Sequence, residues 1–254
     1  MGRLSSQTTV LTTVLLVIIC VLTPFAAHAE SFEDLTYLSE EYYPFTYREG
    51  SRAKGFSVDL LRRIWDELGV PQQPVEVLPW ARAFERACIC PKTVLFAVTR
   101  TPEREPLFRW AGPIHKVRFE LFAKKSSRLY AQNFGSLAGY SIGTVRGDVA
   151  NTILKQNCPK CFLDAVADMR QNVRKLMQDR LNMVAYEGYS WPGLIRRLGF
   201  DPDQFEPVFL IQEAPIYFAF NIQTDPELVE RFQRALDKVK ESESYRELEA
   251  AYLQ

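Results

Sequence analysis

A continuous apolar run in the middle of the chain constrains the fold more than any other feature. The run Val94–Val98 reads VLFAV and is followed at once by polar residues, with Pro102 close behind. Five apolar residues without alternation are typical of a strand that is buried on both faces, as in the sheets of α/β proteins. We therefore expect an α/β fold organised around this strand.

An arginine follows the strand at a position where a positive charge is unfavourable. Thr101 and Pro102 have the order of an N-cap and a first helical residue, which places Arg104 in the first turn of a short helix. A cation at that end opposes the helix dipole, so an anion is expected to compensate it. The anion is either a bound carboxylate or a carboxylate of the chain itself, such as Glu103 or Glu105.

The first 29 residues are predicted to be an export signal. Arg3 precedes an apolar stretch, Val10–Leu22, and residues 27–29 (AHA) fit a cleavage site after Ala29. The stretch is shorter than the about 20 residues that a membrane-spanning helix needs, although a retained anchor is the alternative. Cys20 would be lost with the leader.

The composition describes a folded chain without excess charge. Removal of the leader leaves 225 of the 254 residues, enough for one large domain or two smaller ones. This part has 30 basic and 31 acidic residues, so it lacks the positive excess of nucleic-acid-binding proteins. Because 47% of the chain is hydrophobic and 13% aromatic, disorder is also excluded.

Four cysteines remain after the leader, in two close pairs. They are Cys88 with Cys90 and Cys158 with Cys161. An exported chain favours disulfides, and four cysteines allow three pairings. A C-x-x-C pair also occurs in thiol oxidoreductases, and four thiols can hold zinc, so the residues alone leave these alternatives open.

Four segments occur in the order and spacing of a known family. They are EEYYPFTYREGSRAKGFSVDLLRRIWDELG (40–69), PWARAFERA (79–87), VLFAVTRTPEREPLFRWAGP (94–113) and YSIGTVRGDVA (140–150). Together they resemble the periplasmic solute-binding proteins of family 3, the polar amino acid receptors of ABC importers. Each motif is short, but the four in sequence are more specific, and the resemblance covers essentially the whole chain after the leader.

The resemblance implies a type II periplasmic-binding-protein fold, with two α/β lobes joined by two crossing strands that act as a hinge. A ligand would lie in the cleft between the lobes and would be enclosed by hinge closure. The crossing strands are expected at Phe119–Ala123 and Ile216–Ile222. The implied segments are a signal peptide at 1–29, the first lobe at 30–119 and 218–254, and the second lobe at 120–217.

The family layout also bears on the cysteines. It places the two pairs in different lobes, where a bond or a metal joining them would impede closure. The resemblance therefore implies a local disulfide between Cys158 and Cys161 and leaves Cys88 and Cys90 unassigned.

The resemblance implies an amino acid site in the cleft. The planar guanidinium of Arg104 is expected to hold the ligand carboxylate in a bidentate pair, and Glu187 to receive the ligand ammonium group. The predicted ligand-binding residues are Arg104, Thr99, Ala97, Trp80, Tyr42, Glu41, Arg146, Gly147 and Glu187.

The other predicted residues have supporting roles. Thr99 and backbone groups near Ala97 would add hydrogen bonds, while the rings of Trp80 and Tyr42 would cover the ligand, with Glu41 as a polar partner. Arg146 and Gly147, before a predicted helix, would hold the carboxylate from the opposite side. The alternatives are that Trp80 is ordinary core and that Glu187 is a solvated loop residue.

The expected function is capture of a small polar ligand, an amino acid first of all, in the periplasm. The chain would act as a monomer without cofactor or metal and deliver the ligand to an inner-membrane ABC permease. Two alternatives are a cyclohexadienyl dehydratase-like enzyme, with Glu187 as general acid, and a sensory partner that presents ligand to a membrane receptor. No histidine favours catalysis, since His28 belongs to the leader and His115 stands alone.

Overall fold

The apolar run forms the centre of a strand, β5 (Thr93–Thr99), whose seven residues are all buried. Successive side chains of a strand point to opposite faces. Val94 and Phe96 accordingly pack in one hydrophobic cluster and Leu95 in another, and Val98 joins Leu95 because an irregularity at Ala97 shifts the alternation by one residue. The strand is thus covered on both faces, as the uninterrupted apolar pattern predicts.

The structure, a computed structural model, describes residues 31–253, so the predicted leader lies outside the described residues. The strands are β1 (Thr36–Ser39), β2 (Tyr47–Glu49), β3 (Arg52–Lys54), β4 (Val75–Val77), β5 (Thr93–Thr99), β6 (Phe108–Lys124), β7 (Ser141–Val145), β8 (Phe162–Val166), β9 (Met183–Glu187) and β10 (Phe205–Asn221). The α-helices are α1 (Phe56–Leu68), α2 (Trp80–Ile89), α3 (Val149–Asn157), α4 (Met169–Met177), α5 (Ser190–Arg197), α6 (Pro226–Glu241) and α7 (Glu243–Tyr252).

Two long strands connect two groups of shorter ones. The main sheet has the order β4-β1-β5-β10-β6-β9-β7-β8, and β6 and β10 run antiparallel along most of their length. Strand β5 pairs with the end of β10 near Ile216–Phe220, whereas β9 pairs with the end of β6 near Phe119–Phe122. The first lobe contains β1, β4, β5, α1, α2, α6 and α7, and the second lobe contains β7–β9 and α3–α5.

The crossing strands are longer than the sequence indicates. Each has 17 residues, whereas the apolar runs cover only the carboxyl ends, Phe119–Ala123 and Ile216–Ile222. The remaining parts alternate between buried and more exposed positions and include prolines, so an apolar-run criterion does not detect them. The predicted lobe boundaries, 119/120 and 217/218, fall inside these strands, and the division at those points stays a prediction.

Helices of both lobes are held by local contacts. Trp65 on α1 is 1% exposed and lies in the core of the first lobe. Helix α5 begins at Ser190, where the carboxylate of Glu187 accepts the backbone N–H of Ser190. A side chain outside the helix therefore satisfies a first-turn donor that the apolar spacing does not reveal.

The disulfide between Cys158 and Cys161 is present, with Cα atoms 5.4 Å apart, which confirms the pairing implied by the resemblance. Cys88 and Cys90 have free thiols. Within residues 31–253, no helix combines the length and the apolar character that crossing a membrane requires.

Candidate ligand-binding site

A cavity lies between the two lobes, where strands of both lobes end. We call it the inner cavity; its volume is about 50 Å³. It is lined by Glu40, Tyr42, Trp80, Ala97, Thr99, Arg104, Phe119, Val145, Asp148, Val149, Tyr186 and Glu187. The first six belong to the first lobe, Phe119 to a crossing strand and the last five to the second lobe, so both lobes are needed to form the site.

Arg104 is the cation of the inner cavity and is only 7% exposed. Its position follows from the turn after β5, in which the carbonyl of Thr101 accepts the backbone N–H groups of Arg104 (3.0 Å) and Glu105 (2.9 Å). The Nη1 atom donates to the carbonyl of Thr99 and the Nη2 atom to that of Gly147, each at 3.1 Å. The second bond crosses the cleft, so the guanidinium bridges the lobes.

Aromatic rings fix the plane of this guanidinium. Its central carbon lies 4.8 Å from the ring centre of Trp80 and 5.3 Å from that of Phe84. Contacts of this kind stabilise a cation whose water has been removed. Burial lowers the pKa of Arg104, and the nearby carboxyls of Asp148 and Glu40 act in the opposite direction. Only two of its five N–H groups are used by the backbone, so the others remain for a carboxylate.

Three carboxyl groups share the inner cavity with Arg104. Burial raises the pKa of Glu40 to about 8, with a further rise from Asp148 and an opposing effect of Arg104. Burial likewise raises the pKa of Asp148 to about 7, against the hydrogen bond from the Asn151 backbone. The pKa of Glu187 is also raised by burial. Among residues 31–253, the inner cavity is thus lined by three carboxyl groups and one guanidinium group.

These carboxyls differ in their hydrogen bonds. Glu187 accepts the N–H groups of Tyr189 (3.0 Å) and Ser190 (2.8 Å) and the Ser190 hydroxyl (2.8 Å). Asp148 caps α3 by accepting the Asn151 N–H at 2.6 Å. Glu40 makes no hydrogen bond or salt bridge with any of residues 31–253, although Arg104 lies near enough to oppose the rise in its pKa.

A tyrosine hydroxyl in the cavity is also without a partner. Tyr42 is 7% exposed and lines the inner cavity, and its buried hydroxyl has no hydrogen-bond partner among the described residues. Burial is the main reason that its pKa is raised, so it is a neutral donor. A buried hydroxyl without a partner is costly in free energy, which favours a ligand group at this position.

Ala97 has an unusual backbone conformation. Its φ is +61°, and it is the extra residue where β5 pairs with β10, since Tyr217 and Phe218 oppose Val98 and Phe96. Such a bulge redirects the chain near a site. Glycine, which is frequent here in the family that the sequence resembles, would adopt this φ without strain.

The other predicted residues lie outside the inner cavity. Glu41 forms a salt bridge of 2.6 Å with Arg197 of the second lobe. Arg146 is exposed and donates to the carbonyl of Ala165 at 3.5 Å. Gly147 presents its carbonyl to Trp80 Nε1 and Arg104 Nη2, both at 3.1 Å, so it holds the lobes together. A part for these three in ligand binding stays a prediction.

A larger space adjoins the first. This outer cavity has a volume of about 480 Å³ and shares Glu40, Trp80, Val145 and Tyr186 with the inner cavity. Sequence reasoning missed Glu40, Asp148 and Tyr186. Each is the sequence neighbour of a predicted residue. The motifs therefore indicate the correct segment but not which of two adjacent side chains faces the cavity.

Two α/β lobes joined by two crossing strands, with a buried guanidinium in the cleft, define the class of type II periplasmic binding proteins. Residues 36–254 match the family described as "Bacterial extracellular solute-binding proteins, family 3". The chain belongs to this family, which confirms the resemblance stated from the motifs. The family consists of binding proteins, and the chain is accordingly a binding protein rather than an enzyme.

A curated relative and solved structures are consistent with this family and this fold. The chain is 25% identical over 218 residues to the arginine-binding extracellular protein ArtP of Bacillus subtilis (strain 168), covering 83% of this chain and 81% of ArtP. A histidine kinase sensor domain with similarity to periplasmic binding proteins has a similar fold, with a TM-score of 0.76 at 20% identity, over 86% of this chain and 95% of that one. A mutant of ArgBP from T. maritima gives 0.74 at 16% identity, over 86% and 94%. The structural likenesses confirm the fold alone.

Proposed function

We propose that the chain is exported, captures an amino acid between its lobes and delivers it to an ABC permease of the inner membrane. The membership in a family of extracellular solute-binding proteins supports capture of a small polar solute. The observation that carries the proposal is the position of Arg104, a buried guanidinium held by one backbone carbonyl from each lobe. A carboxylate bound there would contact both lobes at once.

The ligand amino group would be received by the carboxyls of the second lobe. Glu187 and Asp148 both line the inner cavity, and each retains oxygen lone pairs beyond its helix-capping bonds. The unpartnered hydroxyl of Tyr42 would donate to a ligand oxygen. Trp80 would cover the bound ligand. Its indole N–H donates to the carbonyl of Gly147 on the opposite lobe, which holds the ring across the cleft.

Calorimetric titration of the chain without residues 1–29 against the common amino acids tests capture. We expect the wild type to bind an amino acid and Arg104→Ala to lose that binding. The matched control is Arg234→Ala, which removes an exposed guanidinium of α6 far from the cavity lining. Retained affinity in Arg104→Ala with a folded protein would contradict the assignment of the carboxylate site.

Delivery and export need measurements in cells. Deletion of the gene should reduce uptake of the radiolabelled ligand, and the released protein should begin at Glu30. Undiminished uptake together with altered signalling would favour the sensory alternative, and the solved sensor domain shows that the fold serves such proteins too.

A further inference from the structure

Within the proposed function, the charges of the cleft bear on the kind of amino acid. A zwitterionic ligand brings one carboxylate, for Arg104, and one ammonium group, for a carboxyl of the second lobe. Glu187 and Asp148 lie in that lobe and are held by backbone donors. Glu40 comes from the first lobe and takes no part in this pairing, and the second of the two second-lobe carboxyls keeps the hydrogen bonds of its helix cap.

Glu40 differs from the other acidic groups of the cleft in lacking a partner. In the outer cavity, Glu41 forms a salt bridge with Arg197, and Asp168 forms one with Arg170. The guanidinium of Arg48 is bonded to the carbonyl of Val77. Glu40 has neither a hydrogen bond nor a salt bridge among residues 31–253. Removal from water disfavours the ionised form of this partly buried carboxyl group, and a positively charged ligand group beside it would favour that form.

The position of Glu40 fits a long ligand. The inner cavity, about 50 Å³, is smaller than the about 150 Å³ that holds a benzene molecule in an engineered protein cavity, so the remaining atoms of an amino acid need other room. That room is the outer cavity of about 480 Å³, and Glu40 lines both spaces. A side chain that leaves the inner cavity would therefore pass Glu40.

We propose that Glu40 is the specificity-determining residue of the site and selects an amino acid whose long side chain carries a positive charge. The side-chain cation pairs with Glu40 at the junction of the two cavities, while the carboxylate of the ligand remains at Arg104. This inference rests on the proposed function.

L-Arginine and its uncharged analogue L-citrulline are the probes that test it, since they have nearly the same shape. Calorimetry should show that the wild type binds L-arginine at least about tenfold more tightly than L-citrulline, a difference of about 1.4 kcal/mol. Glu40→Gln should bring the ratio close to one, and Glu40→Asp should retain a preference for L-arginine. Glu76→Gln is the matched control and should keep the ratio of the wild type, because Glu76 is paired with Arg86 and lines neither cavity.

Three outcomes would overturn the inference. In the first, the wild type binds L-citrulline or another uncharged amino acid as tightly as L-arginine and Arg104→Ala abolishes that binding; the proposed function then stands without a role for Glu40. In the second, folded Glu40→Gln keeps the full preference for L-arginine. In the third, the wild type binds no amino acid, which contradicts the proposed function as well.

Discussion

Some polar side chains in the cleft lower the stability of the ligand-free protein because they lack a hydrogen-bond partner, and the same side chains are available to bind a ligand. Tyr42 is the clearest case, since its hydroxyl is buried and has no partner among residues 31–253. Glu40 is similar, because burial raises its pKa to about 8. Groups of this kind persist at functional sites, where the ligand supplies the missing partner.

Tyr42→Phe should therefore have opposite effects on stability and binding. Removal of an unsatisfied buried hydroxyl should raise the free energy of unfolding of the ligand-free protein, by up to about 1 kcal/mol, or leave it unchanged. The same change should weaken ligand binding by about threefold to tenfold, because a hydrogen bond to the ligand contributes about 0.5–1.5 kcal/mol. Urea denaturation and calorimetry measure the two quantities. A loss of stability without loss of affinity would show that the hydroxyl has no ligand partner.

At the scale of elements, helix α5 contacts the loop after β1 across the cleft. The guanidinium of Arg197 lies 5.4 Å from the ring centre of Tyr43 and 5.1 Å from that of Tyr47, and it pairs with Glu41. The ring of Tyr43 rests directly on Gly193, with no space for a Cβ atom. Glycine is therefore required in α5 so that the two lobes can meet here.

Gly193→Ala should keep the lobes apart. We expect at least a tenfold loss of ligand affinity, about 1.4 kcal/mol, measured by calorimetry. The stability of the protein should not fall, since alanine is favoured over glycine inside a helix by about 1 kcal/mol. The double variant Gly193→Ala with Tyr43→Ala removes the overlap and should recover part of the affinity; equal affinities of wild type and Gly193→Ala would exclude this contact from closure.

The disulfide, by contrast, should matter for stability alone. Cys158 and Cys161 close a loop with a sequence separation of three and line neither cavity. For so short a loop, the chain-entropy model gives about 2 kcal/mol. The variant Cys158→Ala with Cys161→Ala should lose about that much free energy of unfolding in urea and bind the ligand as before. A changed affinity would connect this turn to the site.

The same elements explain what the sequence could and could not predict. The apolar run correctly predicts the buried strand β5, whereas the cleft position of Arg104 and Thr99 is implied by the family resemblance. Both residues line the inner cavity, and their part in ligand binding stays a prediction. The sequence does not tell which of two adjacent residues faces inward, since neighbouring side chains of an extended segment point apart. The resemblance predicts Glu41 where Glu40 lines the inner cavity, and Gly147 where Asp148 does. The crossing strands are longer than their apolar runs for a different reason, since about half of the positions in each are partly buried or exposed.

At the scale of the whole molecule, the cleft couples ionisation to folding. Glu40 and Asp148 come from different lobes, and Asp148 contributes to the raised pKa of Glu40. In the folded protein the pKa of Asp148 is raised to about 7 and that of Glu40 to about 8, whereas the unfolded chain ionises both groups at about pH 4. The folded state thus binds more protons over this range, and stability from these groups falls as the pH rises.

Comparison of the ligand-free wild type with Glu40→Gln isolates this effect from the other titrating groups. Both groups are protonated in the folded and unfolded states below about pH 3, so the variant should have little advantage there. Between about pH 4.5 and pH 8 the wild type should lose stability relative to Glu40→Gln, by up to about 1.4 kcal/mol per pH unit, and the difference should level off above pH 8. The groups that also titrate or carry charge around Glu40 are Asp148, Arg104, Glu187, Tyr42 and Tyr186. They are common to both proteins, so urea denaturation across this pH range measures Glu40 together with its coupling to them. A difference that does not change with pH would mean that Glu40 is ionised in the folded cleft even without a ligand.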